Sequence, residues 1–600
     1  MFNAKTVVAS LASSTPHNCR PTHQKHAQRI LSLALVFCCA YSLMACSQLG
    51  FNRVKPGPIT PLPTTHIKNT QQFDQDTMYS LMVAEVALVR ERYELGLANY
   101  VNQARLTQDV NITARATQIA RILNKHEESL ELAEQWHTLD PGNREPRLIL
   151  ISEYIHAERF KDAFAHAKLL LQAGSSAGFE DIAIEAVQKD APDIKFLTQT
   201  FEDLLSTYPN NTELLIGSSI MQQAADQLGP ALQHVTLART LDPENTRAIY
   251  QQFRILQKLK RDAEALETYR ALVDLQPENF RVRNQYAHML IRADMSAALA
   301  QYSILNSQAP QNNDVLLNLA LIQLDQGAHE QARGNFETLV VRQQHESLAH
   351  YGLAEIANSK QDTSSALNHY VQVNSGTRYV DAASKAADII AKQNSFEDAL
   401  VFIASRREGA VGEDREQLYL IEAETLNTAS MYIRAEAMFN MAIDEFPQSL
   451  QLLYSRAMFL AQQNDITAAE YDFKAVLEQT PDSAATLNAL GYTLLSDDKR
   501  VRDAEVYIRK AYALMPQDPA TIDSLGWLEF KLGNYSKARK LLETALDQLM
   551  DDEIAAHLGE VLWQMGKPKL ALKVWLRGLE HAPKSSIIHT TLERLGADVK

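Results

Sequence analysis

The chain repeats itself about every 34 residues, and that period leaves few folds open. Pro141, Pro209, Pro243, Pro277, Pro310, Pro447, Pro481, Pro516 and Pro583 keep step across thirteen periods, which unrelated turn prolines would not do. Between them a small residue recurs at the twentieth position of each unit: Ala163, Ala231, Ala265, Ala332, Ala399, Ala435, Ala469, Ala504, Ala538 and Ala571, with one residue inserted before Ala504. Such a column has a packing reason. Two helices of a hairpin cross within about 8–10 Å, so the crossing point admits only a small side chain, and a larger one costs about 1–3 kcal/mol through overpacking. Four residues on, Tyr269, Phe336, Phe439, Phe473, Leu542 and Trp575 lie one helical turn away on the same face, placed to fill the gap to the next unit. A period of this length, built of paired amphipathic helices, predicts an all-α chain of about fifteen stacked hairpins, an α-solenoid in one long superhelix.

The cleanest copies run from Ala484 to Pro583. Leu490-Gly491, Leu525-Gly526 and Leu558-Gly559 fall in the first helix of three successive units, Ala504, Ala538 and Ala571 in the second, and Met550-Asp551 stands where one closing proline is absent. On these residues the segment resembles the tetratricopeptide-repeat family. Two places strain the lattice. Ser175 to Pro192 is rich in turn residues, and its unit has Leu197 where alanine is expected; between Gln343 and Gly412 no unit-closing proline occurs. Both are expected to be bends or seams. Past Pro583, Ser585 to Leu595 reads as a closing helix that covers the last unit.

The amino terminus differs in kind. Residues before Asp74 carry seven of the 58 basic residues and none of the 73 acidic ones, so the repeats are more acidic than the formal net charge of −15 indicates. No basic stripe is present there, which argues against a nucleic-acid partner. All four cysteines, Cys19, Cys38, Cys39 and Cys46, precede the repeats, which excludes a disulfide framework or a cysteine-based zinc site in the helical body. Met1 to Arg29 is polar and basic, Ile30 to Met44 is apolar, and small residues precede Cys46: the order of an export signal, with an apolar run shorter than the roughly 20 residues a spanning helix needs. Leu43-Met44-Ala45-Cys46 resembles the bacterial lipobox. That resemblance implies a signal peptide over 1–45, diacylglycerol and palmitate on Cys46, and, with Ser47 after the cysteine, delivery to the periplasmic face of the outer membrane. An uncleaved anchor with an incidental cysteine is the alternative. Residues 46–73, with Pro56, Pro58, Pro61 and Pro63, read as an extended tether. Residues 74–583 are the expected solenoid and 584–600 its cap. The first hairpin carries an apolar seam of Leu81, Ala84, Val86, Ala87 and Leu88.

No catalytic constellation meets its own structural requirements. Gly174-Ser175-Ser176-Ala177-Gly178 fits a nucleophile elbow literally, but the elbow needs a strand-to-helix turn above a sheet, and here helical repeats flank it. His126-Glu127-Glu128 lacks the second histidine one helical turn later that a zinc-protease helix requires. No phosphate-binding or dinucleotide motif occurs, the seventeen histidines are scattered, and neither a metal, a cofactor nor an enzymatic activity is expected. What remains is a binding surface. In stacked hairpins the first helices line the inner groove, so Asn488, Tyr492, Asp523, Trp527, His557 and Glu560 are candidates to contact an extended peptide or partner helix. The chaperone-type carboxylate clamp of paired Lys and Asn is missing: the corresponding pairs read Asn284/His288, Tyr454/Met458, Asn488/Tyr492 and Asp523/Trp527.

Ile522-Asp523-Ser524-Leu525-Gly526-Trp527, followed by the run Asp552 to Trp563, is similar to a segment of long bacterial tetratricopeptide lipoproteins. With the lipobox and the unit count, the chain resembles the group that partners the carboxyl-terminal processing protease in certain gamma-proteobacteria. The resemblance implies an adaptor that binds this periplasmic serine protease, activates it and presents cell-wall hydrolases. A scaffold for envelope assembly, whether secretion, pilus, polysaccharide export or cell-wall synthase activation, is the other reading.

Overall fold

In the computed structural model, residues 73–192 and 194–597 are described; the expected signal peptide, Cys46 and nearly all of the expected tether lie outside them. Among the described residues there are 31 α-helices, one short 3-10 turn at Asp498–Arg500, and no strand. Most helices pair as antiparallel hairpins in chain order, and neighbouring hairpins pack on one another, as Tyr93–Thr107 does on Val110–Ile122 and Leu228–Leu241 on Thr246–Lys258: a tetratricopeptide-repeat α-solenoid. No helix of the described residues is long and apolar enough to cross a membrane. Contacts divide the described chain into two compact units, residues 73–335 and 336–597.

The alanine column does what its spacing predicts. Nine of its ten members are 0% exposed and Ala265 is 1% exposed, so each helix crossing is closed to solvent. The bulky residues four positions on have two destinations rather than one. Phe336 stands over Gly352 of the following hairpin, where an added Cβ would lie 2.4 Å from its ring. Trp575 instead sits over Gly559 of its own hairpin, where an added Cβ would lie 2.1 Å from Nε1, and donates to the Ala556 carbonyl at 3.2 Å. The residue inserted before Ala504 lands in a longer interhelical turn containing the 3-10 segment, so it leaves the crossing itself undisturbed.

A third column emerges two residues after the closing prolines. Asn143, Asn211, Asn245, Asn279, Asn312, Ser449, Ser483, Asp518 and Ser585 each cap the following first helix, the side chain accepting an otherwise orphaned backbone N–H. The closing proline and the cap together fix where each unit restarts. At the far end of the first helices the chain turns through a left-handed residue, as at Asn124, Glu158, Asp226, Lys260, Ser430 and Asn464. Amide bonds such as Lys125 N–H to the Ala120 carbonyl at 2.9 Å close that turn.

Both strained stretches lose the cap. Before the helix Phe179–Gln188, Gly178 takes the cap position in a left-handed conformation without a side-chain bond. His345, Arg378 and Val411 start the helices Glu346–Ser359, Tyr379–Gln393 and Gly412–Thr428, again with no side-chain cap. The Phe179–Gln188 helix also abandons its nominal partner Ile194–Thr207 and packs chiefly on Thr212–Ala224. Gly217 permits that approach, because an added Cβ there would lie 2.5 Å from the Phe201 ring and 3.2 Å from the Phe179 carbonyl. Leu197, in the alanine column's place, is fully buried, and Phe164, Phe179 and Phe201 fill the space with edge-to-face contacts 5.0–6.0 Å apart. The Gly174–Gly178 motif is the turn that enters this helix. Ser176 donates to the Glu213 carboxylate of the next hairpin, and the amides of Ala177 and Gly178 donate to the same carboxylate at 3.1 and 3.2 Å.

Candidate protein-binding surface of the carboxyl-terminal hairpins

The six residues singled out in the sequence lie on three successive first helices, Ala484–Leu494, Pro519–Lys531 and Asp552–Gln564. Four of them are buried: Asn488 at 6%, Asp523 at 2%, His557 at 4% and Glu560 at 5% exposure. Tyr492 and Trp527 are partly exposed. The set therefore comprises four buried polar residues and two partly exposed aromatic rings.

The network is a hydrogen-bond chain. His557 Nδ1 lies 3.0 Å from Asp523 Oδ1, and His557 Nε2 lies 3.2 Å from the Tyr492 hydroxyl, which donates to Glu553 Oε1 at 2.6 Å. The His557 ring stacks on Trp527 with centroids 4.1 Å apart and 17° between planes. Tyr492 thus reaches past one whole hairpin to the next but one. With the imidazole protonated, both ring N–H groups donate, to Asp523 and to the Tyr492 oxygen, and the Tyr492 proton goes to Glu553, so each of these protons has an acceptor.

Electrostatics favour that state. Burial pushes the Asp523 carboxyl up and, acting alone, would push the His557 imidazole down. The facing carboxylates of Asp523, Glu553 and Glu560 reverse the second shift and hold the imidazole above its ordinary value. Burial, joined by the Glu553 carboxylate, keeps the Tyr492 phenol protonated far above its usual range.

Glu560 has a different task. It receives a forked pair from Arg594 of the closing helix Ser586–Leu595, one arm at 2.8 Å, and so ties the cap to the last hairpin. Asn488 joins neither arrangement. Its buried Oδ1 has no hydrogen-bond partner among the described residues. Lys531 stands over the Trp527 ring at 5.8 Å, beside Phe530, whose ring stacks at 4.8 Å. Lys531 Nζ is already paired with Asp498 at 2.8 Å, so what these rings offer a partner is apolar contact.

A second surface was not legible as such. On the first described helix, Gln75–Val89, Met78, Met82, Val86 and Val89 form an exposed stripe one helical turn apart, with Tyr79 beside it at 71% exposure. Val86, expected in the internal seam, is 51% exposed and belongs to this stripe, whereas Ala84, Ala87 and Leu88 are buried as the seam requires. The apolar run held both faces at once, and nothing in its composition separated them.

The comparisons fit this architecture. The tetratricopeptide-repeat family model matches residues 317–373, 432–484 and 524–587. The TPR repeat-containing protein PA4667 of Pseudomonas aeruginosa is 34% identical over 498 residues, 81% of this chain and 82% of that protein. The anaphase-promoting complex subunit CDC16 of Saccharomyces cerevisiae is 31% identical over 97 residues, 15% of this chain and 12% of that one. A solved thermophilic TPR protein from Thermus thermophilus is 23% identical, with a TM-score of 0.28 over 30% of this chain and 98% of that chain. With hairpins on a 34-residue lattice and a relative matched over most of both lengths, this chain belongs to the tetratricopeptide-repeat protein family, whose repeats form scaffolds for protein–protein interaction.

Proposed function

We propose that the chain is a lipid-anchored periplasmic adaptor that recruits and activates a carboxyl-terminal processing serine protease and presents cell-wall hydrolases to it. One structural observation supports a partner site in the carboxyl-terminal hairpins: a hydrogen-bond network joins three first helices and leaves Tyr492 and Trp527 partly exposed. Preorganised aromatic anchors of this kind lower the ordering cost of binding. The lipobox at Leu43–Cys46 supplies the anchor, and the acidic, cysteine-free repeats suit the oxidising periplasm.

The test uses the full-length chain in detergent with the purified protease. Retention of the protease and faster cleavage of a cell-wall hydrolase are expected, with Trp527→Ala weakening retention about tenfold or more, the loss of one anchor residue. No retention and no change in cleavage would remove the adaptor reading. For the anchor, Cys46→Ala should abolish palmitate labelling, and labelling that persists would reject the lipobox.

A further inference from the structure

Two imidazoles and a carboxylate converge where the hairpin Val110–Leu139 meets the hairpin Arg144–Gln172. His126 opens the helix His126–Leu139, while Glu153 and His156 sit one turn apart on the helix Arg144–His156 and so share a face. The candidate ligand atoms of all three lie within 4.8 Å of one another. We propose that His126, Glu153 and His156 form a zinc(II) site bridging these two hairpins, with its fourth position open to water.

The surroundings are those of a built site. Glu153 is 3% exposed, and its Oε1 accepts from the Ser129 hydroxyl at 2.9 Å, which aims Oε2 toward His126 Nδ1 at 2.8 Å. Arg121 Nε approaches the same Oε1 at 3.9 Å and leaves Oε2 to the histidine side. His156 Nδ1 lies 2.8 Å from the Ser152 carbonyl, so this nitrogen carries the proton and Nε2 presents its lone pair. Orientation of a ligand imidazole by a backbone carbonyl through its other nitrogen is the usual outer-shell device of zinc sites. The two rings stack at 4.2 Å and 17°, and both histidines are exposed, so metal enters from solvent.

An ion pair engages only His126 and Glu153 and leaves His156 outside it. Zinc engages all three once the rings turn out of their stack so that their in-plane lone pairs converge on the ion. Tetrahedral bonds of about 2.0–2.1 Å set ligand atoms roughly 3.3 Å apart, so His126 Nδ1 moves slightly off from Glu153 Oε2 and any wider separation in the cluster closes, changes that rotation of the two exposed histidines can supply. The ion takes the place of the proton between His126 and Glu153, and that proton leaves to solvent. Two nitrogen ligands select a borderline ion such as zinc over magnesium, which prefers oxygen and water.

The experiment titrates the metal-stripped full-length chain with zinc chloride by calorimetry and follows the thermal midpoint alongside. One saturable equivalent is expected, with a higher midpoint in zinc and no response to magnesium. His126→Ala and His156→Ala should each weaken zinc binding about tenfold or more and abolish the midpoint shift, whereas His581→Ala, an exposed histidine elsewhere, should leave both unchanged. Because the two replaced histidines are exposed, circular dichroism of the variants should match the unaltered chain. Absence of saturable binding, or an affinity and midpoint shift that survive both replacements, overturns the assignment.

Discussion

The units Phe179–Thr207 and Pro519–Gln548 occupy equivalent places on the 34-residue lattice, but their first helices are started by different means. In the second, Asp518 accepts the Thr521 amide at 3.0 Å and the start is settled within the unit. In the first the local cap is lost, and Glu213 of the neighbouring hairpin takes the amides of Ala177 and Gly178. One unit encodes its own boundary; the other borrows it. Asp518 takes an amide inside the first turn and Glu213 the two amides that lead into it, but both place a carboxylate at the positive end of the helix dipole. A repeat can therefore lose its motif residues and keep its place in the stack if a neighbour supplies the missing group.

Replacements should separate the two regimes. The largest effect is expected inside the self-contained hairpins: Trp575→Ala removes a fully buried ring from over Gly559 and should cost about 3–5 kcal/mol in denaturant unfolding. Next comes a pH effect confined to the carboxyl-terminal unit. His557 is raised in the folded state, so the stability it contributes is complete below the unfolded value near 6.5 and is lost as pH rises through the folded value, with a slope of at most about 1.4 kcal/mol per pH unit. Unfolding followed from pH 6 upward should show this decline, and His557→Gln should flatten it.

Glu213→Ala should cost about 1–2 kcal/mol, within the range for a lost helix cap, and hydrogen exchange should rise in Phe179–Gln188 while Pro519–Lys531 stays protected. Equal exchange in both helices would erase the contrast. Smallest of all, Lys260→Gly should stabilise the chain by about 0.5 kcal/mol: it relieves a left-handed lysine at φ 57°, offset by the freedom glycine adds to the unfolded chain.

Much of the fold was legible because it is local. The Ala504, Ala538 and Ala571 column, the closing prolines and the strained stretches at Ser175–Pro192 and Gln343–Gly412 all follow from what one hairpin demands of its own residues. The caps two residues after each proline are equally present in the chain, but Asn, Ser and Asp share that place, so no single letter marks the column as the prolines and alanines mark theirs. The candidate surface was legible only in part. Placing Asp523, His557 and Glu560 on first helices was sound, but whether a polar residue there faces a partner or a neighbouring repeat depends on how closely successive first helices approach.

Sequence by itself determined the repeating hairpin, its length, its small-residue crossing and its restart points, because each rests on contacts within some thirty residues. Tertiary structure alone decided which polar residues meet. Tyr492 reaches Glu553 across an intervening hairpin, Glu213 holds the two amides that lead into a helix before it in the chain, and His126, which has no histidine one turn on in its own helix, finds His156 on the next hairpin. Periodicity says that such residues return to the same side of the stack. Only the packing angle between neighbours brings their atoms within bonding distance.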